Sequence, residues 1–68
     1  MNNHRNFKID GESFAVIKSN NSGYKWQVMT FDEEKKYWTR LDIYAGTIAE
    51  AKERTKDKID FYKSIINA

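Results

Sequence analysis

The stretch from Gly23 to Ala51, GYKWQVMTFDEEKKYWTRLDIYAGTIAEA, limits the possible folds more than any other part of the chain. It contains both tryptophans, an acidic-then-basic turn between two aromatic-rich segments, and the sequence of a capped helix start. A third strand is expected over about 24–31, a turn at Asp32-Glu33-Glu34-Lys35, and a fourth strand over about 36–44. A four-residue loop at 32–35 pairs Phe31 with Lys36, Val28 with Thr39, Trp26 with Leu41 and Tyr24 with Ile43. The core face then holds Tyr24, Trp26, Val28, Leu41 and Ile43. The opposite face pairs Met29 with Trp38, Gln27 with Arg40 and Lys25 with Asp42. Side chains alternate along a strand, so a loop one residue longer or shorter would turn Trp26 onto a residue of the wrong face.

Upstream, Phe7 and Ile9 alternate with polar residues before Asp10-Gly11. Both central residues of a type I′ turn need positive φ, which Asp and Gly tolerate, so a hairpin of strands 5–9 and 12–18 is expected. Its register sets Ile9 against Glu12, Phe7 against Phe14 and Arg5 against Val16, with Phe7, Ile9, Phe14 and Val16 on one face. Ser19 to Gly23 reads as a polar turn with a glycine able to take a left-handed conformation. Met1 to His4 reads as a frayed start. Whether strand 5–9 joins the sheet is left open.

After the Ala45-Gly46 break, Thr47-Ile48-Ala49-Glu50 is a capping box. Thr47 accepts from the Glu50 N–H, and the Glu50 carboxylate returns to the Thr47 N–H. No Gly or Pro follows, and Ile48, Ala51, Thr55, Ile59, Tyr62 and Ile66 recur at steps of three and four. One amphipathic helix over about 48–66 is expected, of about five turns. Glu50 and Arg54 sit four apart in the favourable order. Phe61 lies roughly 100° off the stripe, so it either covers a sheet edge or is exposed. The fold class is α+β: a three- or four-stranded antiparallel meander packed on one C-terminal amphipathic helix, as a single domain (β-β-β-β-α).

Sixty-eight residues without cysteine make a small domain that no disulfide or thiolate metal site can staple. The core must come from aromatics and branched aliphatics, and the four Phe, four Tyr and two Trp suit that job. A cytoplasmic, soluble protein with no membrane association is expected, because no window is apolar enough to span a bilayer. The formal charge of +2 permits nucleic-acid contact without arguing for it. No catalytic, cofactor or metal motif stands out. His4 is the only histidine and sits in the polar start, the carboxylates at 32–34 lack calcium-loop spacing, and a strand rather than a helix follows Ser22-Gly23. An enzyme is not expected, nor a cofactor.

The outer sheet face, opposite the helix, is what remains. It displays Lys25, Gln27, Met29, Phe31, Trp38, Arg40, Asp42 and Tyr44. Aromatic and apolar groups beside Lys, Arg and Gln read either as ordinary cross-strand packing or as a binding face. The candidate binding residues are Lys25, Gln27, Met29, Trp38 and Arg40.

The order G-Y-K-W-Q-V, an acidic turn, K-Y-W-T-R and T-I-A-E-A-K, over roughly Gly23 to Arg54, resembles the N-terminal arm-type DNA-binding domain of phage and transposon integrases. The resemblance implies a three-stranded sheet backed by a helix, inserted in the major groove. It would put Lys25 and Arg40 on phosphate or a guanine edge, Gln27 on a base edge, and Trp38 on a sugar or thymine methyl. The chain departs from that pattern at Asp42 and at Asp32-Glu33-Glu34, which bring negative charge where phosphates would lie. Recombinase activity is not expected. The other reading is a protein-binding accessory or inhibitor protein, encoded by a mobile element, that docks the same face or an edge strand on a partner or forms a homodimer through Met29, Trp38 and Phe61.

Overall fold

Asp10 and Gly11 take φ of 52° and 83°, the signature of a type I′ turn, and they join β1 (Asn6–Ile9) to β2 (Glu12–Lys18). The computed structural model describes residues 5–66; the expectation for 1–4, His4 included, lies outside them. The β1–β2 register is the one expected, with Phe7 opposite Phe14 and Ile9 opposite Glu12. β3 (Trp26–Asp32) and β4 (Tyr37–Ala45) continue the meander, and α1 (Ile48–Ile66) closes the chain. All four strands form one antiparallel sheet in the order β1-β2-β3-β4, so the first strand does join it and the fold is β-β-β-β-α. No helix of the described residues is long and apolar enough to cross a membrane.

The register of β3 and β4 corrects the sequence expectation. Asp32 stays in the strand, and the turn shifts one residue to 33–36. The Asp32 carboxylate accepts from the N–H groups of Glu34 and Lys35, both at 3.0 Å, and its carbonyl accepts from the Lys36 N–H at 2.7 Å. Lys36 takes a left-handed φ of 62° to close the loop. Each β3 residue therefore meets a β4 residue two places further on: Phe31 faces Trp38, and Met29 faces Arg40. An irregularity between Gln27 and Met29 adds two more, so that Gln27 faces Tyr44 and Trp26 faces Ala45. Both shifts are even, which leaves the side chains within β3 and β4 on their expected faces.

Tyr24 is a second correction. The loop before β3 is held by the Lys25 carbonyl accepting from Ser19 N–H and the Asn21 carbonyl accepting from Tyr24 N–H, both at 3.1 Å. The Asn21 side chain also accepts from the Gly23 N–H at 2.8 Å. These bonds keep Tyr24 and Lys25 out of the strand. Tyr24 is 45% exposed and stacks on Tyr44 rather than entering the core. Gly11, not Gly23, is the glycine with positive φ.

The core forms where α1 crosses the sheet. Phe14, Val16, Trp26, Val28, Ile43, Ala45 and Ala51 are buried, with Phe7, Ile9, Leu41, Ile48 and Ile59 packed around them. Ala45 and Ala51 are fully buried, and their small side chains let the helix approach the sheet closely. Thr55, also fully buried, satisfies its hydroxyl on the Ala51 carbonyl at 2.8 Å. Thr47 caps the helix as expected, accepting from Glu50 N–H at 3.1 Å, but the Glu50 carboxylate returns to the Gly46 N–H at 2.8 Å instead of that of Thr47. It also pairs with Arg54 at 3.6 Å.

The helix does not lie along the sheet for its whole length. Its start sits by β4, where Arg54 donates to the Tyr44 carbonyl at 2.9 Å; its end reaches the β1–β2 turn, where Lys63 pairs with Asp10. β1 stops at Ile9, so the last turn overruns the sheet. Tyr62 and Ile66, expected in the core stripe, are 53% and 79% exposed, and Phe61 is exposed too. At the hairpin tip of β4, Tyr37 and Thr39 share the helix-side parity of Leu41 and Ile43 yet are exposed.

Candidate functional site

Cross-strand pairing builds the outer face in rows. Asn6, Ala15, Met29 and Arg40 are successive partners across all four strands; Ile17, Gln27 and Tyr44 form the next row. Phe31 and Trp38 pair edge to face with ring centroids 5.4 Å apart. Small Ser13 and Ala15 lie in the middle strand beside these large side chains. A shallow depression of about 230 Å³ lies nearby, lined by Asn6, Phe7, Lys8, Ser13, Phe14 and Trp38.

The five candidate residues do not form one group. Met29 is half-buried, and Trp38, 39% exposed, stands at the rim of the apolar patch. Gln27 is buried, only 3% exposed. Its amide donates to the Leu41 carbonyl at 3.0 Å and the Tyr44 hydroxyl at 3.3 Å, and its oxygen accepts from Arg40 at 2.6 Å. Arg40 donates a further bond to the Lys18 carbonyl at 3.3 Å. The side chains of Gln27 and Arg40 thus stitch the irregular stretch of β3 and β4 together. Lys25 leaves the group: its ammonium lies 5.6 Å from the Trp26 ring, a core-face side chain that Arg5 also covers at 4.8 Å.

Two other concavities are larger. One, of about 330 Å³, opens between sheet and helix at the hairpin end, with Phe14, Leu41, Thr55, Ile59 and Tyr62 among its lining. The other, of about 540 Å³, borders the acidic turn and is lined by Glu12, Asp32, Glu33 and Glu34. Among the described residues no group of three or more His, Cys, Asp or Glu could hold a metal ion, and no buried side-chain nitrogen or oxygen lacks a hydrogen-bond partner.

At the apolar end of α1 the sequence reading singled out Phe61 but missed the exposure of Tyr62, Ile65 and Ile66. Phe61, Tyr62, Ile65 and Ile66 are all more than half exposed, though they crowd the last two turns. The signal was there in the density of large apolar residues on more than one side of the helix after Ile59. Comparison with known protein families, with curated proteins and with solved structures finds no match.

Proposed function

We propose that the chain is a small non-catalytic binding module that docks on another protein through the sheet face opposite its helix. The observation that carries this reading is the aromatic and apolar group of Met29, Phe31 and Trp38 beside a shallow depression lined by Asn6, Lys8, Ser13 and Trp38. An exposed tryptophan at the rim of such a hollow suits the anchor of a protein interface. The DNA reading implied by the integrase resemblance has less support. Gln27 spends both ends of its amide inside the protein, Arg40 is tied to Gln27 and Lys18, and Lys25 lies over Trp26. A base-reading face needs those groups free.

The test is capture of partners by the immobilised chain from its host's extract, with and without nuclease, repeated with Trp38→Ala. A partner retained after nuclease and lost with Trp38→Ala is expected. Binding to short duplexes that weakens steeply with salt, and that Arg40→Ala abolishes, would overturn the protein reading in favour of DNA.

A further inference from the structure

β4 is the one long edge of the sheet. It has nine residues, and β3 pairs with one side of it while the other side meets no strand among the described residues. Proteins usually blunt such an edge because its free N–H and C=O groups template pairing with another chain. Here the irregularity opposite Gln27 is satisfied from the inner side, where the Gln27 amide reaches the Leu41 carbonyl. On the outer side, Arg54 reaches the Tyr44 carbonyl, which must therefore point away from β3. Backbone groups alternate in direction along a regular strand, and the same alternation carried through the irregular stretch would turn those of Arg40 and Asp42 outward as well.

We infer that β4 pairs with β4 of a second copy of the chain, antiparallel about a two-fold axis at Leu41. Leu41 is the midpoint of Tyr37–Ala45, and centring there is the register that pairs the whole strand with itself. It sets Arg40 opposite Asp42 of the second copy, and Asp42 opposite its Arg40, on the outer face. Within its own chain the Arg40 guanidinium donates to Gln27 and the Lys18 carbonyl, and it would swing from them toward the edge. Opposite charges directly across an antiparallel pair attract. Centring on Arg40 would oppose two arginines, and centring on Asp42 would oppose two aspartates. Trp38 meets Tyr44 of the second copy on the same face. The two sheets become one of eight strands.

Strand pairing alone is narrow, and a stable interface buries about 1,200–2,000 Å² in total. The second layer comes from the flank of α1 that overlooks this edge. Arg54 and Lys58 border β4 at Asp42 to Tyr44, and Phe61 and Ile65 continue their flank one and two turns on. Both are exposed, and the two-fold axis brings each helix antiparallel to the other across the joined sheet. The inference concerns self-association rather than the outer-face partner proposed above, although both surfaces include Trp38.

Sedimentation or light scattering over about a hundredfold range of concentration tests it. The native chain should pass from monomer to dimer. Asp42→Lys, at an exposed position with no side-chain hydrogen bond or ion pair among the described residues, should keep the fold and raise the dimer Kd roughly tenfold or more, because two attractive pairs become repulsive. Adding Arg40→Glu to it exchanges the charges and should restore the dimer. A native chain that stays monomeric throughout, or an Asp42→Lys variant that dimerises like the native chain, overturns the inference. So does a folded double variant that stays monomeric. Should the double variant not fold, Asp42→Lys alone decides.

Discussion

Gln27 shows how a residue can sit on its expected face and still have another role. Its parity places it outward, and the sequence makes it a base-reading candidate. Two extra residues of β4 opposite Val28 draw its amide inward, where it replaces a backbone ladder bond to Leu41. Gln27→Leu keeps the volume but leaves the Leu41 carbonyl without its side-chain donor and the Arg40 guanidinium with the Lys18 carbonyl alone. It should cost about 1–3 kcal/mol in urea denaturation, the range for an unsatisfied buried group. An outcome near zero would mean that water takes over those bonds. Strand periodicity shows which side a residue faces, but not whether a bulge will bury it. The faces of Trp26, Val28, Ile43 and Trp38 were therefore legible, while the engagement of Gln27 and Arg40 was not.

At the scale of elements, local signals gave the helix and the first hairpin, and long-range packing decided the rest. Asp10-Gly11 and Thr47–Glu50 carry their geometry in a few residues, so both were readable. Thr47→Ala removes the bond to Glu50 N–H and should lower stability by about 1 kcal/mol, measurable by thermal or urea unfolding. The second hairpin depended on whether Asp32 ended the strand or began the turn. Its carboxylate can cap from either position, so the choice lay beyond composition. The helix stripe misled for another reason. Periodicity shows which side of a helix is apolar, but not where the sheet beneath it ends. Ile66→Lys tests this directly: at 79% exposure it should change stability by no more than about 0.5 kcal/mol. A loss of several kcal/mol would mean that the last turn is buried in solution, by the sheet or by another chain.

The whole molecule has a thin core for its surface. A chain of this size buries only about 60% of its unfolded surface, and here the helix overhang and the β4 tip leave still more apolar area outside. The buried part is confined to one crossing of α1 over the central strands, with two alanines at closest approach. Association through the β4 edge would cover Trp38, Phe61 and Ile65 together, and anything that binds the folded state alone raises its apparent stability by mass action. Tm should therefore climb as the concentration of the native chain is raised over about a hundredfold range. Asp42→Lys should flatten that dependence while leaving the low-concentration Tm close to the native value, because Asp42 is exposed and makes no side-chain hydrogen bond or ion pair among the described residues. A Tm independent of concentration in both proteins would assign the stability to the monomer core, and the exposed aromatic and helical surfaces would then be left for partners of other kinds.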